Sequence, residues 1–221
     1  HVGRKTVEKE SLFKEIVASS PIQSKKISIH WKAGNPVTTL LQASEEFHVD
    51  LILLGALKRE NVVKFYLGSI ARKITRKAKC SVLLLINPSV ERCPCQHIVV
   101  NGFDSPQTEV TIGAAFMVAK ALGSKKISLV EEISRSKVAI AVDDDRSLRR
   151  ATLRKEKLRR QEQTRVKDVV QKLPDGLTKD VNWTTQSIFG RRGYSIGHYA
   201  KVVRADLLIM NARENLNFID R

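Results

Sequence analysis

Two glycines and a serine stand where a strand ends and a helix begins, and these residue types let a backbone hold a phosphate group. The apolar run from Asp50 to Leu54 stops at Gly55, and a helix is predicted to begin at Gly68 and Ser69. Glycine permits a close approach of the backbone, and the free N–H groups of a helix N-terminus attract anions. The same pattern occurs throughout α/β folds, so by itself it indicates a ligand only weakly.

The elements that would position these residues follow from the spacing of apolar residues. Residues 50–54 and 81–86 are short apolar runs of the length expected for strands buried on both faces. Between them, Ile70, Ile74 and Ala78 share one face of a helix, and basic residues occupy most of the other face. We therefore predict a strand, a glycine turn, a loop, a helix and a second strand.

The spacing of Gly55, Lys58, Gly68 and Ser69 resembles the signature of the universal stress protein family. In that family a glycine is followed by two residues, a second glycine, nine residues, and then glycine with a small hydroxyl residue. The resemblance implies an α/β domain that binds ATP or AMP, with magnesium only as the companion of the nucleotide. It places the phosphates at the N–H groups of Gly68 and Ser69 and the close approach at Gly55. Lys58 replaces the middle glycine, where it either adds a charge contact or blocks the loop.

A second segment resembles the start of another such domain. The stretch HIVVNGFDSP (97–106) is predicted to be a strand that ends in a glycine and a short acidic turn, followed by a helix. By the resemblance, an aspartate at the end of this strand contacts the adenosine, and Asp104 is the candidate. Capping of the following helix is an equally good role for Asp104.

An internal duplication connects the two segments. GNPVTTLLQASEEFHVDLILLGA aligns without a gap with GRRGYSIGHYAKVVRADLLIMNA, so that Asp50 corresponds to Asp206 at an offset of 156 residues. In the second copy, Asn211 stands where Gly55 stands, and Glu214 stands where Lys58 stands. A glutamate at that position would repel phosphate, so the nucleotide is expected only at the first copy.

We predict an α/β fold of two tandem Rossmann-like domains with mainly parallel sheets, of universal stress protein type. The domains are predicted at residues 1–90 and 91–221, and each is expected to be incomplete, the first at its N-terminal end and the second at its C-terminal end. Residues 26–32, KISIHWK, alternate as a strand does. Residues 146–173 are predicted to form a basic helix inserted into the second domain.

Charge and composition limit the classes of protein to which this chain can belong. The 221 residues include 39 Lys and Arg against 23 Asp and Glu, and residues 146–172 supply half of the surplus of 16. No apolar run approaches the roughly 20 residues of a membrane span, no signal peptide is visible, and the three cysteines fit a reducing compartment. We therefore expect a cytoplasmic protein, either free or tethered to a membrane protein.

Residues arranged for catalysis are not found: no nucleophile stands at readable spacing from a base, and no metal cluster or pair of carboxylates marks a site. We expect a non-enzymatic, stress-response regulatory module that forms a homodimer and binds ATP or AMP through its first copy. The alternative is an interaction scaffold without nucleotide, or the cytoplasmic regulatory domain of a cation/proton antiporter or other transporter. A third alternative is a nucleic-acid or acidic-membrane binder that uses residues 146–172. The basic helix lacks interleaved aromatic residues, so we expect a protein partner or a transporter region before nucleic acid.

Overall fold

The chain divides into two compact units, residues 1–89 and residues 90–221. The computed structural model describes residues 2–19, 27–56, 68–86, 93–137, 141, 143–191 and 193–211. Both units combine helices with parallel sheets, which confirms the predicted α/β class. Each unit has its own sheet and is described separately below.

The first unit contains a two-stranded parallel sheet whose strands are connected by a helix. Its elements are α1 (Val2–Ser19), α2 (Pro36–Glu46), β1 (Leu51–Ala56), α3 (Ser69–Lys77) and β2 (Ser81–Ile86). β1 and β2 pair in register from Leu51 with Ser81 to Ala56 with Ile86. β1 extends through Gly55, because the glycine pairs with Leu85 in the ladder and does not end the strand.

Local sequence explains where α2 begins and which face of α3 is buried. The side chain of Asn35 accepts a hydrogen bond from Val37 N at 3.0 Å, and Pro36 occupies the first turn of α2, where its missing N–H costs nothing. In α3, Ala71 and Ile74 are buried while the basic residues are exposed. The predicted amphipathic helix is therefore present, but its buried face differs from the prediction: Ile70 is 46% exposed, and Ala78 is the C-cap of the helix.

The predicted strand at residues 26–32 is wrong, since residues 27–32 have no regular secondary structure. A strand needs a neighbour for its N–H and C=O groups, and none runs beside this segment among the described residues. Its aromatic side chains pack on rings of the first unit instead. Trp31 meets Phe13 of α1 edge-on with centroids 5.7 Å apart, and the ring of His30 lies 4.5 Å from that of Phe47.

The second unit is a four-stranded parallel sheet covered by helices on both faces. The strands are β3 (His97–Asn101), β4 (Lys126–Ser134), β5 (Asn182–Gly190) and β6 (Leu207–Ile209), and their order across the sheet is β5-β4-β3-β6. The helices are α4 (Thr108–Leu122), α5 (Asp145–Gln171), the short α6 (Asp175–Thr178) and α7 (Tyr194–Val202), with a 3-10 turn at Arg135–Lys137.

Alternating strand residues divide the core of the second unit into two layers. Ile98, Val100, Ile127 and Leu129 face α4 and α5, where they pack with Phe116 and Val166 among others. Val99 and Val130 point the other way and pack with Ile196 and Ala200 of α7. At the end of β4, the same alternation directs Glu131 toward α5 and Glu132 toward α7.

The predicted basic helix is present as α5, residues 145–171 rather than 146–173. Its start is a capping box in which the Asp144 side chain accepts a hydrogen bond from Ser147 N at 2.7 Å and Ser147 Oγ accepts one from Asp144 N at 3.0 Å. Hydrogen bonds from the backbone N–H and the side chain of Ser147 hold the pKa of the Asp144 carboxyl below its usual value. The acidic residues before the helix therefore fix where it begins.

Candidate functional site

The two candidate glycines of the first unit, Gly55 and Gly68, lie at one edge of its sheet. Gly55 is the penultimate residue of β1, and Gly68 immediately precedes α3. Because β1 and β2 are parallel and α3 connects them, the carboxyl end of β1 and the amino end of α3 must meet at the same edge. Lys58, the fourth candidate on this loop, lies outside the described residues.

Gly68 leaves the start of α3 open. It is the N-cap of the helix, with φ −53° and ψ 150°, and no side chain caps the N-terminal N–H groups among the described residues. A Cβ atom added at Gly68 would meet no described atom within 4 Å. Neither the backbone angles nor local packing requires glycine here, so its effect is to keep the space before the helix clear.

Among the described residues, no group occupies the backbone donors at this helix start. The first helical hydrogen bond runs from Arg72 N to Gly68 O at 3.0 Å, so the N–H groups of Ser69, Ile70 and Ala71 have no intrahelical acceptor. Ser69 is exposed. Partial positive charge at a helix N-terminus stabilises an anion, and this arrangement therefore fits a phosphate group.

Asp104 belongs to the second unit, whereas Gly55, Gly68 and Ser69 belong to the first. It is exposed, and its Oδ1 lies 3.9 Å from Arg165 Nη1. It does not cap the helix, which corrects the capping role: α4 begins after Gln107, and Ser105 Oγ accepts a hydrogen bond from Gln107 N at 3.3 Å. The chain turns at residues 104–107 before the helix starts, which carries Asp104 away from the helix N-terminus.

The equivalent edge of the second unit is closed by its own side chains. β3 and β6 are neighbours, and the chain leaves β3 toward β4 on one side and returns to β6 on the other. Such a reversal of strand order is where open α/β sheets form their ligand crevice. Here the Asn211 side-chain amide donates a hydrogen bond to Ser105 Oγ, which joins the loop after β6 to the loop after β3.

A buried ion cluster lies beside this edge and was not predicted from the sequence. Arg165 of α5 donates to Gly102 O, and its guanidinium lies 3.4 Å from Glu131 Oε1 and 3.0 Å from Glu162 Oε2. Glu131 is 3% exposed, and Oε2 has no hydrogen-bond partner among the described residues. Burial raises the pKa of Glu131 to about 8, although the Arg165 charge acts in the opposite direction.

Only weak sequence signals pointed to that cluster. Glu131 and Glu132 form a pair of acids within an otherwise apolar strand, which is unusual for a buried strand. Arg165 is one of many basic residues on α5, and nothing in its local sequence distinguishes it from those that face solvent.

A metal-binding cluster and a membrane-spanning helix are both absent from the described residues. His, Cys, Asp and Glu side chains form no group of three there that could hold a metal ion. Among these same residues, no helix is both long enough and apolar enough to cross a membrane.

The comparisons with known proteins agree with this fold. Residues 4–85 match the model of the universal stress protein family. The structure of a universal stress protein from Archaeoglobus fulgidus is 15% identical in sequence and superposes with a TM-score of 0.61, covering 98% of this chain and 69% of that one. A second structure, of a functionally unknown protein from Pseudomonas aeruginosa PAO1, is 12% identical with a TM-score of 0.54 and covers 96% of this chain and 69% of that one.

The structural matches and the family match support different conclusions. At such low identity the superpositions establish the fold of the chain, while the family match rests on the sequence of the first unit and includes Gly55, Gly68 and Ser69. Residues 4–85 therefore match the universal stress protein family, and the chain as a whole has the fold of a solved universal stress protein.

Proposed function

We propose that the protein is a stress-type regulatory module whose first unit binds ATP or AMP and whose second unit binds no nucleotide. The observation that supports this proposal is the open space before α3 at Gly68. A phosphate placed there would accept hydrogen bonds from the free N–H groups of Ser69, Ile70 and Ala71. Magnesium would enter only with the nucleotide.

The contrast between the two units supports assigning the ligand to the first. Asn211 occupies in the second copy the position that Gly55 occupies in the first, and its side chain bridges to Ser105. Arg165 also bonds to Gly102 O at the same edge. A ligand at the second unit would have to displace both contacts, whereas glycine at position 55 has no side chain to form such a bridge.

Calorimetric titration of ATP and AMP, each with magnesium, into the whole chain tests the proposal. Gly68→Val places a branched side chain in the space before α3 and removes access to the N–H groups. A charge-assisted hydrogen bond contributes roughly 1.5–3 kcal/mol, so losing one or more should weaken binding at least about tenfold.

Gly176→Val is the matched control. A Cβ at Gly176 also meets no described atom within 4 Å, but this glycine lies in α6 of the second unit. Nucleotide affinity should be unchanged in this variant. Absence of heat at millimolar nucleotide, or equal loss in both variants, would exclude the helix start of α3 as the phosphate site.

A second candidate is an interaction scaffold that needs no nucleotide, such as a regulatory domain attached to a transporter. The closed edge of the second unit favours this role for that unit, because Asn211 and Arg165 already satisfy the groups that would otherwise meet a ligand. A chain that binds protein partners equally well with and without nucleotide, and with Gly68→Val, would support it.

A further inference from the structure

The N-terminal half of α5 is the most strongly charged exposed surface of the second unit. Residues 145–160 contain eight basic residues and two acidic ones, and all eight basic side chains are exposed. No aromatic residue occurs in this stretch. The basic residues are Arg146, Arg149, Arg150, Arg154, Lys155, Lys157, Arg159 and Arg160.

Helical spacing gathers five of these cations on the outward side of α5. At roughly 100° per residue, the side opposite to buried Ala151 and half-buried Leu158 presents Leu153 at its centre. Leu153 is 66% exposed. Around it stand five cations, Arg146, Arg149, Arg150, Lys157 and Arg160, and one acid, Glu156; together with Leu153 they form what we call the outer face of α5. This face is about 21 Å long at roughly 1.5 Å per residue.

Most charges of the outer face are unpaired within the part of the chain that the structure describes. Among the described residues, the one ion pair recorded for these five cations joins Arg160 to Glu156 at 3.3 Å. Both partners of that pair are exposed, so it contributes at most about 1 kcal/mol. The other four side chains remain available to an anionic partner.

The face is held in place before any partner binds. The guanidinium of Arg159 lies over the ring of Phe189 in β5, 5.7 Å from its centroid, and Arg154 Nε donates to Lys137 O at 3.0 Å. Val166 and Val170, farther along α5, are buried in the core. Since the helix is already folded and anchored, binding would not have to supply the entropy cost of ordering it.

We propose that the outer face of α5 docks on an anionic lipid surface. A cation near such a surface contributes about 1 kcal/mol, and an exposed leucine among cations can enter the boundary between headgroups and acyl chains. Lipid headgroups also rearrange to match the spacing of the cations. A second copy of this chain is disfavoured as the partner, because the same face would meet like charge.

Leu153 is what favours lipid over nucleic acid. The cations would attract the phosphates of a duplex equally well. Against a sugar–phosphate backbone, however, the leucine at the centre of the face would meet charged and polar groups and gain little. At a membrane the same side chain transfers from water into an apolar region. The proposal does not depend on nucleotide binding by the first unit.

Co-sedimentation of the whole chain with vesicles tests the proposal. Vesicles of phosphatidylcholine alone are compared with vesicles in which phosphatidylserine replaces part of the phosphatidylcholine. Binding is expected only to the second kind and should weaken with rising salt. Replacing Arg149, Arg150 and Lys157 together by glutamine should reduce the affinity on the order of 100-fold, from about 1 kcal/mol per cation.

Two further variants make the outcome specific. Replacing Lys125, Lys126 and Lys179 by glutamine removes the same charge from exposed positions at the amino end of the sheet, and should leave most of the binding intact. Leu153→Ser changes no charge and should still weaken vesicle binding severalfold, since it removes the inserted side chain.

The proposal fails if the chain does not bind anionic vesicles at low salt, or if the lysine control loses as much affinity as the α5 variant. It also fails if two results occur together. A DNA or RNA duplex would stay bound at salt concentrations that release the chain from vesicles, and Leu153→Ser would bind duplex and vesicles as tightly as the wild type does. That last outcome would identify the outer face as a nucleic-acid surface.

Discussion

Asn211 donates a hydrogen bond to the hydroxyl of Ser105, and this single contact closes the edge between β6 and β3 in the second unit. The ungapped sequence alignment sets Asn211 against Gly55, which has no side chain with which to form such a bridge. The two aligned segments thus differ at the carboxyl end of the strand, β6 in the second unit and β1 in the first. If nucleotide binds at the first unit, as we propose, this difference explains why it does not bind at the second.

Asn211→Gly should lower the stability of the second unit by about 1 kcal/mol, since it removes one hydrogen bond between partly buried groups. Urea unfolding measures the change. In a Trp31→Phe background, Trp183 of β5 is the remaining tryptophan and its fluorescence reports on the second unit. Asn211→Asp should retain most of the stability, because the Ser105 hydroxyl can then donate to the carboxylate. Equal loss in both variants would show that the contact is not what matters at this position.

Glu132 should be the most destabilising acidic residue to remove from the second unit. It is 6% exposed, and its two oxygens accept hydrogen bonds from Gly193 N and Ile196 N, each at 2.7 Å, so it caps α7 from the neighbouring strand. Hydrogen bonds to a charged group contribute roughly 1.5–3 kcal/mol each. Glu132→Ala should therefore cost about 3 kcal/mol or more in urea unfolding followed by Trp183 fluorescence.

Two companion variants separate capping from a general charge effect. Glu132→Gln keeps one acceptor oxygen and should lose about half as much stability, because its NH2 group cannot accept the second N–H. Glu156→Ala removes an exposed acid from α5 and should change stability by no more than about 0.5 kcal/mol. If Glu132→Ala also stays within that range, the capping interaction is not important for the second unit.

Much of the fold could be predicted because its signals are local. The basic helix was predicted at residues 146–173 and found at 145–171, since acidic residues mark its start and the Asp144 side chain caps it. The strands at residues 81–86 and 97–101 follow from short apolar runs. The strand predicted at 26–32 is absent from the described residues 27–32. Alternation indicates only which side chains can pack inward, and in this segment Trp31 and His30 pack on aromatic rings while no strand runs beside them among the described residues.

The features that were missed all depend on contacts between distant residues. Arg165 meets Glu131 across 34 positions, and Glu132 meets the start of α7 across more than 60. No spacing rule connects such residues, because only the sheet order brings them together. The candidate glycines were easier to find, since a family signature fixes their separation along the chain.

Gly190 should tolerate no side chain. A Cβ at this position would lie 1.9 Å from Ser195 Oγ and 2.7 Å from Ser195 Cβ. The hydroxyl can rotate away but the Cβ cannot, so Gly190→Ala must displace β5 or the first turn of α7. Overpacking of this kind costs roughly 1–3 kcal/mol, measured by urea unfolding in the same single-tryptophan background.

The double variant Gly190→Ala with Ser195→Gly tests the cause of that loss. Removing the Ser195 side chain removes both close contacts, so the alanine at position 190 should cost much less in the Ser195→Gly background than in the presence of the serine. Gly176→Ala, at a site with open space around the added Cβ, controls for the change in chain entropy. Additive effects of the two substitutions would contradict a steric clash.

Glu131 should make the second unit less stable as the pH rises from about 4.5 to about 8. Its pKa is raised to about 8 in the folded protein, chiefly by burial, from a usual value of 4.5. Between these values the folded state retains a proton that the unfolded chain releases, so unfolding is favoured by rising pH. The stabilisation from this proton is complete below pH 4.5 and is lost as the pH passes through about 8.

Glu131→Gln checks this assignment, because glutamine resembles the protonated carboxyl at every pH. Urea unfolding of the single-tryptophan protein and of this variant should give stabilities that diverge with rising pH, with the variant the less sensitive of the two. Arg165 stays paired with Glu162 and bonded to Gly102 O in both, so the difference isolates the proton on Glu131. Parallel pH profiles for the two proteins would mean that Glu131 is ionised throughout this range and that the Arg165 charge outweighs burial.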